Sequence, residues 1–455
     1  MKHVLLAALV ACSAPATTTP TTPIDHPTSP APAPAPAPDP APPAPHLEIS
    51  GMDRSVAPGS DFFAYANGEW NKTTEIPADR STYGSSAIMT ELTAKRTAEL
   101  IEAAAQGSNP DPTAKKVGDY YASYRDEAAI EAKGLTPLQP RLDEIAKIGD
   151  RKALARVLGT QLRADVDAFN NTNLTTSNLF GLWVAQDLVD PARYTPFLLQ
   201  GGLGMPDRDY YLDAAPRMAA IRDKYIAHIA SVLKLANIAE PETRAKRIFT
   251  LEKSIAQAHA TRTESGEVTR GTNHWPRKEL AKRAPGLDWG AYLAGAGLDK
   301  VDTFVVWQPA TFTKVSGLVA RQPLATWKDY LAFRTIESAA PFLSKAFVDE
   351  NFAFYGTTLS GIPRPRDRWK RAVDSTTGAL GDAVGKLYVD KYFPPSEKAR
   401  VQDMVKNEIA AMARRIDQLA WMAPATKEKA KAKLAVTGDH PCDRSEGRVG
   451  RFVSA

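Results

Sequence analysis

Seven histidines, two cysteines and a scattering of carboxylates are the groups in this chain that could carry out hydrolysis. A catalytic zinc needs ligands fixed at short spacing, such as two histidines one helical turn apart with a third group from elsewhere. His3, His26, His46, His228, His259, His274 and His440 do not offer this, because no two lie within five residues of each other. His228 and His259 sit in helical patterns beside apolar residues and read as structural histidines. Cys442 lies two residues after His440, a spacing that says nothing about geometry, and no Gly-x-Ser-x-Gly elbow occurs. The glycine run Gly201-Gly202-Leu203-Gly204 lacks the Gly-Lys-Ser/Thr continuation of a phosphate-binding loop. Local chemistry alone assigns no catalytic residue and no metal ligand.

The elements that would position any site are mostly helical. Asp111 followed by Pro112 forms a cap and first-turn pair, and Val117, Tyr120, Tyr121, Tyr124 and Ala128 fall on one face before Gly134 ends the helix. Val401, Met404, Val405, Ile409, Met412, Ile416 and Leu419 make a second apolar stripe, which Pro424 is expected to close. A short helix carrying Ala430 and Leu434 follows. Phe180 to Ala185 and Thr303 to Trp307 are the strand candidates, and Asn273 to Pro276 reads as a loop. The expectation is a mainly α fold with a minor β element.

The first residues read as an address. Lys2 and His3 precede an apolar run from Val4 to Ala11, about 12 Å as a helix and too short to cross a bilayer. Leu9-Val10-Ala11-Cys12 resembles a bacterial lipobox, so residues 1–12 are expected to be a lipoprotein signal peptide with Cys12 lipidated. Ser13 after the cysteine, by analogy with bacterial lipoproteins, directs the product to the outer membrane of the cell envelope. Residues 13–46 are rich in Pro, Ala and Thr and suit an extended tether. A composition of 43% hydrophobic and 24% charged residues is that of a soluble globular body, expected over residues 47–435. The net charge of +5 is spread along the chain without a basic stripe, which excludes nucleic acid as a favoured partner.

Several blocks, in order, resemble the N-terminal domain of the neprilysin family of zinc metalloendopeptidases. They begin with Asp61-Phe62-Phe63-Ala64-Tyr65-Ala66-Asn67-Gly68-Glu69-Trp70, Ile76-Pro77 and Tyr83-Gly84. Asp119 to Ser123 follows, and then the long run Gly202-Leu203-Gly204-Met205-Pro206-Asp207-Arg208-Asp209-Tyr210-Tyr211-Leu212. Trp327 to Leu331, Phe354-Tyr355-Gly356, Arg368 to Arg371, Gly381 to Val389 with Phe393-Pro394-Pro395, and Trp421-Met422 complete the series. The likeness covers about residues 49–435. It implies the large helical N-terminal lobe of a two-lobed peptidase that admits short peptides, with zinc as the cofactor of the complete protein. In that family the zinc is held by a His-Glu-x-x-His helix and a later Glu, and neither occurs here. Glu350-Asn351-Phe352-Ala353 approaches the later motif, but Phe354 stands where the family has Asp, so this stretch reads as core.

The family also has an arginine before Tyr-Gly that pairs with a substrate carboxylate. Here Thr82 holds that position and the nearest arginine is Arg80, the one substrate-binding candidate in this half, with a plain surface arginine as the alternative. After Leu434 the family pattern stops, and residues 436–455 read as an aberrant tail. The expectation is a peptidase chain that lacks its catalytic half and is inactive as it stands. The alternatives are a non-catalytic peptide-binding lipoprotein and one half of a split peptidase.

Overall fold

A computed structural model of the chain describes residues 49–106, 111–162 and 176–436. Helices dominate, and the β structure is one four-stranded sheet, so the mainly α expectation with a minor β element holds. Cys12, the tether and residues 437–455 lie outside the described residues. No described helix is long and apolar enough to cross a membrane.

The chain divides into two compact units. The first combines residues up to Pro77, Thr82–Ser123 and the stretch from Asp367 onward. Asp61 caps the Phe62–Thr73 helix by accepting from Ala64 N. The Ser85–Gln106 and Arg368–Tyr392 helices pack together, and Lys370 Nζ reaches Glu91 Oε1 at 2.7 Å. Gly118 lets the helix that starts at Pro112 cross this pair closely, since a Cβ there would meet the Ala105 backbone at 2.6 Å. The Pro395–Gln418 helix packs on the Pro424–Ala435 helix and buries only Ile416. Met404, Val405, Met412 and Trp421 remain exposed. Pro424 opens the last helix rather than closing the previous one, which ends at Gln418. Proline suits a first helical turn because its missing N–H has no partner to lose there.

The second unit holds residues 78–81 and 124–366. The single helix expected from Asp111 to Gly134 is two, Pro112–Arg125 and Glu127–Lys133. Asp126 breaks it by leaving helical geometry and accepting from Ala129 N, a local competition that aspartate wins easily. Gly134, at φ +49°, ends the second piece as expected.

The sheet contains β1 (Phe180–Gln186), β2 (Tyr194–Gln200), β3 (His274–Pro276) and β4 (Thr303–Val306), in the spatial order β1-β2-β4-β3. β1 and β2 form an antiparallel hairpin, β2 runs parallel to β4, and β3 returns antiparallel to β4. One face carries Phe180, Leu182, Leu198, Phe304 and Val306 into the main core. Phe180 stacks on Phe312 at 4.1 Å between ring centres. The other face gathers Phe197, Leu199, Val305 and Trp307.

The Pro216–Leu235 and Pro241–Ala258 helices pack together as a pair. Their apolar stripes, Ile221, Tyr225, Ile229 and Val232 against Ala245, Ile248, Leu251 and Ile255, are buried. The Leu324–Ala339 helix packs against both.

Candidate functional site

The long glycine-containing block identified in the sequence leaves the end of β2 as a loop, Gly201 to Met205. Gly202 has φ +90°, a conformation that only glycine adopts without strain. The loop's polar groups are claimed from several elements. His259 Nε2 lies 2.9 Å from Gly201 O, Tyr330 donates its hydroxyl to Gly202 O at 3.0 Å, and Tyr355 donates to Gly204 O at 3.0 Å. Tyr211 Oη accepts from Gly204 N at 3.1 Å and Met205 N at 3.0 Å, and donates to Glu252 Oε2 at 2.7 Å. Tyr225 donates to the same carboxylate oxygen at 2.9 Å.

The electrostatics follow from burial. Glu252 is fully buried, and loss of solvent pushes its carboxyl up to about 7, although Arg334 and the two tyrosine donors oppose that rise. Burial brings His259 down to about 4, so its ring is neutral at pH 7 and donates from Nε2–H to the Gly201 carbonyl. Arg334 is paired with Glu337, which also accepts from Tyr355. The loop is therefore a ledge fastened at several points to a buried polar cluster, in which Glu252 Oε1 and Arg334 Nε find no hydrogen-bond partner among the described residues.

Beside the ledge opens a cleft of about 640 Å³. Its wall includes Gly201, Gly204, Arg208, His259, Arg262 and Tyr355. Ser265 in the wall lies within hydrogen-bond distance of the amide nitrogens of Gln200 and Gln308, at 3.4 and 3.3 Å, and no described residue is placed as a base to activate it. The arrangement can bind and orient a polar ligand; among the described residues it holds no nucleophile–base pair.

A zinc ion does not fit the described residues, which contain no group of three or more His, Cys, Asp or Glu able to hold a metal. Each described histidine is committed elsewhere. His228 is buried against Phe354, with Nδ1 3.0 Å from Glu350 Oε1. His259 supports the ledge. His274 Nε2 contacts Asp187 Oδ2 at 2.6 Å, while Nδ1 faces Thr272 O at 3.1 Å. The stretch from Glu350 to Phe354 is core, as its sequence suggests, with Phe354 buried.

Arg80 does not line the cleft. It lies half-buried in the Ala78–Ser81 segment, with Nε 3.4 Å from Asp79 Oδ1. Glu252, Arg334 and Glu337 do not stand out in the sequence among many helical carboxylates and cations. One signal was available: Glu252 interrupts the apolar stripe of its helix between Ile248 and Ile255, where a charged residue has no place unless paired.

The sequence blocks and this fold agree with what known proteins show. The model of peptidase family M13, N-terminal domain, matches residues 58–439. The chain belongs to peptidase family M13. Mouse endothelin-converting enzyme-like 1 is 25% identical to this M13 chain over 393 residues, covering 84% of the chain and 50% of that relative. Neprilysin-3 of Drosophila melanogaster is 24% identical over 407 residues, covering 86% and 51%. The zinc metalloprotease ZMP1 of Mycobacterium tuberculosis, solved with an inhibitor, superposes with a TM-score of 0.77 at 35% identity, over 86% of this chain and 58% of that one. PepO from a Lactobacillus has the same fold, with a TM-score of 0.70 at 17% identity. The chain thus spans about half the length of the curated relatives it matches.

Proposed function

We propose that this M13 chain supplies the non-catalytic, peptide-holding part of a zinc metalloendopeptidase and does not cleave peptides by itself. The observation that carries the reading is the match to the family's N-terminal domain across residues 58–439, in a 455-residue sequence with no His-Glu-x-x-His. Proteolysis would then need a segment that brings the zinc ligands and the general base, as a continuation of the same polypeptide or as a separate chain. Such a segment also accounts for the apolar surface of the first unit, where Met412 is 50% and Trp421 76% exposed. The second reading is a stand-alone peptide-binding lipoprotein, which the cleft beside Gly201–Met205 favours.

The substrates in this reading are short peptides. The Cys12 lipobox and the proline-rich tether support an envelope location, with the body held off the outer membrane by a lipid. Labelled palmitate should enter the wild-type chain and not the Cys12→Ala variant; labelling of both would remove the anchor from the account. The function itself is tested with a quenched fluorescent peptide and zinc. The 455-residue chain should show no turnover alone. Activity should appear when a homologous segment bearing His-Glu-x-x-His is co-expressed with it.

A further inference from the structure

Among the described residues, the cleft beside the ledge is lined by more cations than anions. Three cations face it, Arg208, Arg262 and Arg334, against two anions, Asp207 and Glu337. Arg334 is taken by Glu337, and Arg262 Nη1 leans on Asp207 Oδ2 at 3.6 Å. Arg208 is left over. Its single hydrogen bond runs from Nε to Ala256 O at 3.4 Å, and it makes no ion pair among the described residues. That bond ties the base of the guanidinium to the end of the Pro241–Ala258 helix and leaves both Nη atoms, the fork that grips a carboxylate, without a partner among the described residues.

We propose that this cleft is a carboxylate-binding site in which Arg208 takes the anionic end of a short peptide and Arg262 assists at the rim. The proposal deepens the peptide-holding reading and rests on it for the peptide, while the anion-binding chemistry stands on the cleft itself. One carboxylate would balance the excess charge. The volume of about 640 Å³ suits a ligand of a few residues. His259 in the same wall is held neutral, mainly by burial, and its Nε2–H is spent on Gly201 O, so the positive charge of the wall is carried by arginine. Arg80, whose Nε faces the Asp79 carboxylate, is by contrast already engaged.

The test uses the purified 455-residue chain and three probes in fluorescence anisotropy or thermal-shift titrations: a tetrapeptide with a free C-terminal carboxylate, the same peptide as its C-terminal amide, and succinate. The free acid should bind about tenfold or more tightly than the amide, as loss of a charged hydrogen-bond pair implies. Arg208→Ala should abolish that preference, and Arg262→Ala, at an exposed position, should reduce it several-fold, with the melting temperature of each variant showing that it still folds. Binding of succinate that depends on Arg208, with neither peptide binding, would keep the anion site and remove the peptide from it, so the peptide-holding reading would fail alone. Equal binding of acid and amide, or binding of any probe unchanged in both arginine variants, overturns the site, as does no binding by any of the three.

Discussion

Tyr211 donates its only hydroxyl proton to Glu252 at 2.7 Å because the N–H groups of Gly204 and Met205 already occupy its oxygen. One phenol thus joins a fully buried acid to the backbone of the glycine ledge. Tyr211→Phe should leave the N–H groups of Gly204 and Met205 without their acceptor and take one of two donors from Glu252 Oε2, which keeps Tyr225. With about 1–3 kcal/mol for each of the two N–H groups left unsatisfied, a loss of roughly 2–6 kcal/mol is expected. Urea unfolding of the two proteins at pH 7 measures it, and a loss under ~0.5 kcal/mol would show that the ledge does not depend on the phenol.

The pH dependence of stability should carry opposite contributions from Glu252 and His259. Glu252 has a raised pKa in the fold, so its contribution is complete below the ordinary carboxyl value and is lost as pH rises through about 7. His259 has a lowered pKa, so its contribution is present above the ordinary imidazole value and is lost as pH falls toward about 4. Glu252→Gln removes the first alone. Between pH 5 and pH 8 the wild type should lose stability relative to this variant, by on the order of 3 kcal/mol if the full shift is expressed. Parallel denaturation curves at pH 5 and pH 8 decide it: a constant difference between the proteins would show that Glu252 does not titrate in that range.

Gly159 allows the Arg151–Thr160 and Trp289–Gly295 helices to touch, since a Cβ at this position would lie 2.0 Å from Tyr292 O. Gly159→Ala should cost about 1–3 kcal/mol through overpacking, despite the better helix propensity of alanine. A melting temperature equal to or above that of the wild type would contradict the close approach.

The apolar stripe of the Pro395–Gln418 helix was legible in the sequence, but its direction was not. Period alone places Met404, Val405 and Met412 on one face and cannot say whether that face meets the protein's own core. Of the stripe only Ile416 is buried. The same limit hid other features. β1 and β4 were readable from their apolar runs. β2 carries Pro196 inside it, and β3 is three residues long, so neither stands out from a loop. The helix break at Asp126 depends on a side-chain cap that competes with an otherwise continuous pattern. The mainly α class and the M13 blocks needed only order and composition. Arg208, on the other hand, stands in the sequence only as part of a family block, and the role proposed for it rests on its having no ion pair among the described residues.

If that exposed stripe is an interface, replacing Met404, Met412 and Trp421 with serine should reduce self-association while leaving the melting temperature within about 2 °C of the wild type, as expected for exposed positions. Sedimentation velocity at several concentrations reads the association. A cooperative unfolding loss in the triple variant would place these side chains in a core instead.

The central proposal is that these 455 residues hold peptides and need further, zinc-binding residues to cleave them. The most direct test is hydrolysis of a quenched fluorescent peptide by the purified 455-residue chain, with added zinc and with a chelator. The account predicts no turnover in either condition, with binding of the same peptide still detectable. Zinc-dependent turnover that the chelator abolishes would contradict it.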